Sequence, residues 1–91
     1  MVLLVFTAEA NLELVDEQYS HQAEDLRKMA LEQYGCLEFQ SVTEGDKEIS
    51  LSYWPNQQTM SAWKEQADHL QAQQQGRQRW YRHYRVVVTA V

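Results

Sequence analysis

One cysteine, one proline and three glycines in 91 residues leave this chain few of the covalent and conformational devices that small proteins use. A lone Cys36 excludes an internal disulfide framework and any cysteine-based metal cluster, and fits a reducing, cytoplasmic compartment. Cations are scarce as well: eight Lys and Arg stand against thirteen Asp and Glu, a formal charge of -5. Binding a phosphate backbone needs a cationic footprint, so no nucleic-acid surface is expected. Long hydrophobic runs are missing too. The apolar start from Met1 to Phe6 meets Glu9 well before the roughly 18 residues a membrane helix requires, and no basic leader precedes it. Neither a membrane span nor a signal peptide is therefore expected. Also absent are a glycine-rich phosphate loop, a serine in a nucleophile elbow and a paired carboxylate in the second helical segment, where Glu65 and Asp68 stand alone. His21 has Glu24 and Asp25 three and four residues on, but spacing supplies no further ligand, and no metal is expected.

What is present is enough for one domain over residues 1–91, with a core modest enough to profit from a partner. Val2 to Ala8 has apolar residues at both odd and even positions and reads as a central strand. A helix follows from near Asp16, with Tyr19, Ala23, Leu26 and Ala30 as its apolar stripe and Gly35 as its stop. Leu37 to Thr43 and Glu48 to Trp54 form a hairpin around Gly45 and Asp46. In the second of these strands Ile49, Leu51 and Tyr53 share a face that the apolar pattern assigns to the core, which sends Trp54 to the other side. Pro55 ends the strand and Asn56 caps a second helix whose inward face is Met60, Trp63, Ala67, Leu70 and Gln74. Gly76 breaks that helix, Arg77 to Arg82 form short turns, and Tyr84 to Val91 is the last strand.

The order βαββαβ predicts a ferredoxin-like α+β fold, two helices over one face of a four-stranded antiparallel sheet. Two helices cover one face only. Burying even 400 Å² of the apolar residues left on the other is worth about 10 kcal/mol before association costs. A homodimer through the open sheet face is the expected solution, with Trp54 directed toward that contact.

Charge and aromatic residues are unevenly spread. Between Glu9 and Glu48 lie eleven acids, whereas from Gly76 onward there are four arginines and no acid, which suits docking onto acidic ground of the same chain, of a second copy, or onto an anionic ligand. All three tryptophans, with Tyr53, Tyr81, Tyr84, His69 and His83, fall between Ser52 and Tyr84.

That segment resembles the antibiotic biosynthesis monooxygenase family of dimeric α+β barrel proteins. The matching residues are Ser52, Tyr53 and Trp54 at the strand end, Ala62, Trp63, Lys64, His69, Ala72, Gln73 and Gly76 along the helix, then Arg77, Trp80, Tyr81, Tyr84 and the valine-rich last strand. The first half matches only in element order and in the Gly35 turn. The resemblance implies a homodimer with a small cavity between sheet and helices in each subunit. It also implies a choice of activities: some members oxidise aromatic polyketides with O2 and no cofactor, others degrade haem, and many have no established reaction. Haem-degrading members pair an Asn on strand one with a Trp and a His on the second helix. Here Trp63 stands, but Gln73 replaces the His and Phe6, Thr7 and Ala8 occupy strand one, which argues against haem cleavage.

Within this frame the catalytic candidate is His69, an imidazole able to take a proton from a phenol or an anthrone-like carbon acid, with Gln73 one turn on to hold it. His69 lies six residues after Trp63, about 120° away around the helix, so the two do not form a ready pair. The ring of a small aromatic ligand would be held by Tyr53, Trp63, Gln73, Trp80 and Tyr81. Each also has a structural use: a bonded His69, a core Trp63, and Arg77 or Arg79 against the helix's last carbonyls. The leading function is thus a cofactor-independent monooxygenase for a quinol or anthrone-like compound. The alternatives are a non-catalytic dimeric binding module and a haem-binding or haem-degrading protein.

Overall fold

A strand with apolar groups on both sides is at home only in the middle of a sheet, and the first segment takes that place. The structure, a computed structural model, describes residues 1–13, 17–73 and 80–91, the side chains of 72 and 73 excepted. Its elements are β1 (Val2–Ala10), α1 (Glu17–Gln33), β2 (Glu38–Glu44), β3 (Lys47–Trp54), α2 (Gln57–Gln73) and β4 (Tyr81–Ala90). The four strands form one antiparallel sheet in the order β2-β3-β1-β4, the ferredoxin-like arrangement. Among the described residues no helix is long and apolar enough to cross a membrane.

Local chemistry sets the joints. Gly35 takes a φ of 75°, where a Cβ would be strained, and lets the Cys36 N–H reach back to the Ala30 carbonyl at 3.0 Å. Gly45, at φ 62°, opens a two-residue turn that pairs Glu44 with Lys47. Asn56 caps α2 through its Oδ1, which accepts the Thr59 N–H at 2.9 Å.

The strand register decides which residues meet the helices. Leu4 pairs with Ser52 and Val88, Phe6 with Ser50 and Val86, Val2 with Trp54. Directly paired residues share a face, so Trp54, Ser52 and Ser50 lie beneath the helices, while Ile49, Leu51 and Tyr53 lie on the other side. This corrects the assignment made from apolar pattern. Trp54 does not point toward an intersubunit contact: it is fully buried in the core with Leu4, Leu26, Ala30, Met60 and Trp63. Both faces of β3 carry apolar groups, and the greater count on the odd positions misled, because an apolar pattern does not tell a face covered by helices from an apolar face left uncovered.

Two smaller corrections follow. In α1 the buried residues are Gln22, Leu26 and Ala30, so Gln22 takes the inward place assigned to Ala23. Tyr81 and Arg82 belong to β4 rather than to turns, and the strand begins at Tyr81 instead of Tyr84. The expected helix start at Asp16, the break at Gly76, Gln74 and the roles of Arg77 and Arg79 lie outside the described residues, as does the side chain of Gln73.

α1 and α2 are tied to each other and to the sheet by the tryptophans. The Trp63 indole N–H donates to the Leu26 carbonyl of α1 at 3.0 Å, and the Trp63 ring lies 5.4 Å from that of Trp54. The Trp54 N–H donates to Ser52 Oγ at 2.9 Å, so neither buried donor is wasted.

The uncovered face carries Leu3, Val5, Leu51 and Tyr53 with the exposed Val42 (64%), Ile49 (43%) and Val87 (45%). The chain thus presents an apolar sheet surface that its own helices do not reach.

Replacing Trp54 with Ala is expected to cost about 3–5 kcal/mol of stability, and Asn56→Ala about 1 kcal/mol, in urea unfolding followed by tryptophan fluorescence and circular dichroism. Equal losses for the two would contradict the placement of Trp54 at the centre of the core.

Candidate functional site

Ser50 and Ser52 on β3 and Ser41 on β2 are small residues on the helix-facing side of the sheet, and the helices above them leave a gap. That gap is a cavity of about 100 Å³ between sheet, α1 and α2. Its walls are largely aromatic: Phe6, Phe39, Trp63, Tyr81 and Tyr84, with Tyr19 from α1. Phe6 packs edge-on against Tyr81 at 5.4 Å and stacks on Tyr84 at 5.9 Å, while Phe39 meets Trp63 edge-on at 5.9 Å. Such contacts hold the rings in place without filling the space between them.

A break in strand alternation brings two of the tyrosines together. Residues 81 and 84 differ by an odd number and would face opposite sides of a regular strand. The pairing of β1 with β4 passes from Glu9 with His83 to Ala10 with Tyr81, so Arg82 is an extra residue, a β-bulge that turns Tyr81 onto the same side as Tyr84. Arg82 itself is held outside by ion pairs with Asp46 and with Glu9 at 3.5 Å. One C-terminal arginine thus docks on acidic residues of its own chain.

The polar end of the cavity is Glu48. The Tyr19 hydroxyl donates to its Oε2, and the Tyr81 hydroxyl approaches the same oxygen at 3.4 Å. Burial, above all, together with hydrogen bonding to Glu48 holds the Tyr19 phenol well above its ordinary pKa. For Tyr81 burial again dominates, reinforced by the charge of Glu48, and the shift is in the same direction. Both hydroxyls therefore remain donors across the physiological range. At the rim Lys64 pairs with Asp68 at 2.8 Å, one turn on along α2.

Of the residues nominated from sequence, Trp63 and Tyr81 line this cavity. Trp80 is 1% exposed and packs edge-on against Tyr19 at 5.3 Å, behind the wall rather than in it; its indole N–H has no hydrogen-bond partner among the described residues. Tyr53 is on the opposite face of the sheet, paired with Leu3, and is not brought to the cavity. His69 is exposed on α2 and does not line the cavity, so the structure does not join it to Trp63 and Tyr81. Sequence reasoning passed over Phe6, Tyr19, Glu48 and Tyr84. The available signal was Glu48 itself, an acid in register with Ser50, Ser52 and Trp54 on one side of a strand. Cys36 is buried, its thiol 3.2 Å from the Glu38 carbonyl, and burial pushes its pKa up, which suits packing rather than nucleophilic chemistry. Among the described residues no group of three or more His, Cys, Asp or Glu is placed to hold a metal ion.

Comparison with known proteins gives a relative, a fold and no match to any family model. The Bacillus subtilis uncharacterized protein YqjZ is 35% identical over 77 residues, covering 84% of this chain and 68% of that protein. The crystal structure of Rv0793 from Mycobacterium tuberculosis superposes with a TM-score of 0.78 at 11% identity, over 99% of this chain and 93% of that one. A candidate antibiotic biosynthesis monooxygenase from Deinococcus radiodurans gives a TM-score of 0.71 at 14% identity, over 100% of this chain and 92% of that one. The chain therefore has the fold of the antibiotic biosynthesis monooxygenase superfamily.

The two raised phenols carry a pH dependence of fixed sign. A phenol whose folded pKa exceeds its unfolded value adds stability that is whole below about pH 10 and falls as pH rises toward the folded value. Alkaline titration should therefore show loss of stability beginning near pH 10, with a fraction of the phenolate absorbance appearing only on unfolding. In the Tyr19→Phe, Tyr81→Phe double variant that delayed fraction should disappear; its persistence would show that the delayed tyrosines are others.

Proposed function

We propose, for a chain that belongs to the same family as Bacillus subtilis YqjZ, that it is a homodimeric, cofactor-independent monooxygenase of a small electron-rich aromatic compound, a single-ring quinol. The observation that carries this reading is the cavity: walled largely by aromatic rings, with the Glu48 carboxylate among its lining, and set between sheet and helices. Its size selects among the substrates that the family resemblance suggests. A dry cavity of about 150 Å³ accepts benzene, so 100 Å³ with an open mouth suits one ring rather than the three of an anthrone. A tetrapyrrole is larger still, which disfavours haem as the ligand.

An electron-rich ring needs little from the protein. A quinol reacting with O2 can supply all four electrons: one oxygen atom enters the ring, the other leaves as water, and the product is a hydroxyquinone. The protein's part is to hold the ring between Trp63 and Tyr84, keep bulk water away and fix the hydroxyl at the polar end. His69, outside the cavity, is not given the base role in this proposal. The competing reading, a binding module without chemistry, shares the same cavity and differs only in turnover.

The open face bearing Leu3, Val5, Leu51 and Val87 is proposed as the dimer contact, as the resemblance implies. A surface of this kind buried against its copy offsets the cost of association where scattered apolar residues would not.

With a monocyclic quinol in an oxygen electrode, uptake above the uncatalysed rate and a hydroxyquinone product by mass spectrometry are expected. Ser50→Leu, which fills the cavity floor, should lower turnover about tenfold or more, and His69→Ala should leave it within about twofold. No uptake with quinols that demonstrably bind would leave the binding module. In sedimentation the protein should run at twice 10.7 kDa at micromolar concentration, and Leu51→Glu should shift it to the single-chain mass; a wild-type monomer would remove the dimer.

A further inference from the structure

Glu48 is a carboxylate at the end of an aromatic cavity, and its hydrogen bonding is lopsided. Both phenols that reach it, from Tyr19 and Tyr81, address Oε2. Among the described residues Oε1 accepts no hydrogen bond, and an ionised carboxylate has about four acceptor positions in all. The Tyr81 contact, at 3.4 Å, is long for an O–H donor, so it is the bond a ligand donor displaces most easily. Capacity for another donor is thus built into the site.

The remaining charges of the lining do not alter this balance. Lys64 is matched by Asp68 at 2.8 Å, on the rim, so among the described residues Glu48 is the charge of the lining that forms no ion pair. The nearest aromatic partners, Tyr19 and Tyr81, are kept as neutral hydroxyls by burial and by Glu48 itself. An anion entering the cavity would meet this carboxylate in half-buried surroundings, where like charges repel far more strongly than in water. A hydroxyl at the same place would instead make a charge-assisted hydrogen bond.

We infer that Glu48 determines the specificity of this cavity: it admits ring compounds that carry a hydroxyl donor and rejects ring carboxylates of the same size. The inference rests on the proposed use of the cavity as a ligand site and adds to it the polarity of the ligand. Glu48 acts here on the ligand directly, through Oε1, while Tyr19 positions it by fixing Oε2.

The test is a ligand series on the full chain: phenol, toluene and benzoate, followed by the shift of the Trp63 indole N–H in NMR titrations at neutral pH. Phenol and toluene have nearly the same shape, and toluene is the more hydrophobic, so shape and burial alone would rank toluene first. Phenol is expected to bind no more weakly than toluene and at least about tenfold more tightly than benzoate. In Glu48→Gln, which keeps size and hydrogen bonding but removes the charge, benzoate should come within about threefold of phenol. Benzoate matching phenol in the wild type, toluene preferred tenfold, or an unchanged ratio in Glu48→Gln would each overturn the inference while leaving the cavity as a ligand site. Binding of none of the three would overturn the ligand site and this inference together. Should the variant fail to fold, having lost the Tyr19 tie between α1 and β3, the wild-type order of the three ligands decides.

Discussion

The packing of Trp54 under Trp63 is the contact from which the rest of the structure follows. It joins the middle of the sheet to α2, and the Trp63 hydrogen bond to the Leu26 carbonyl brings α1 into the same unit. With Trp54 inward, the register of β3 leaves no freedom: Ser52, Ser50 and Glu48 must follow on the helix side, and Ile49, Leu51 and Tyr53 on the other. A one-residue slip would exchange these sets and expose the largest side chain of the core. The same choice therefore settles where the cavity lies, which acid enters it and which apolar residues remain uncovered.

The cavity is the consequence of small residues under large ones. Serines at 41 and 50 cannot fill the space beneath the helices, and close packing elsewhere keeps the gap from collapsing. The bulge at Arg82 adds the second requirement. It aims Tyr81 inward beside Tyr84, and the ion pairs of Arg82 with Glu9 and Asp46 occupy the residue that the bulge throws out. A strand of strict alternation would offer one tyrosine to the cavity and one to the open face.

Stability and binding share parts here. The Tyr19 to Glu48 hydrogen bond links α1 to β3, and the same carboxylate is the polar end of the proposed ligand site. Trp63 is both a core residue and a wall. In so small a protein the core and the cavity draw on the same few aromatic residues, which is why each nominated side chain had a credible structural use as well as a chemical one. The structural likeness reports the fold in which these parts are set, and the proposed function rests on the residues lining the cavity.

Periodicity, glycine placement and capping chemistry made the element order, the central position of β1, the hairpin at Gly45 and the Asn56 cap legible in the sequence, because each depends on neighbours a few residues away. That Trp63 and Tyr81 line a cavity was foreshadowed for a similar reason: they sit in an aromatic cluster that the chain itself displays. Which face of β3 the helices cover was not, since both faces are apolar enough and only contact with α2 separates them. Nor was the bulge at Arg82, whose partners Glu9 and Asp46 lie 73 and 36 residues away, or the meeting of Tyr19 with Glu48 across 29 residues. The sequence by itself determined the elements and their order, through local hydrogen bonding and apolar spacing. Tertiary structure alone decided the inward face, the tyrosine pair and the place of Glu48 at the cavity, because these arise from side chains distant in the chain competing for one buried volume.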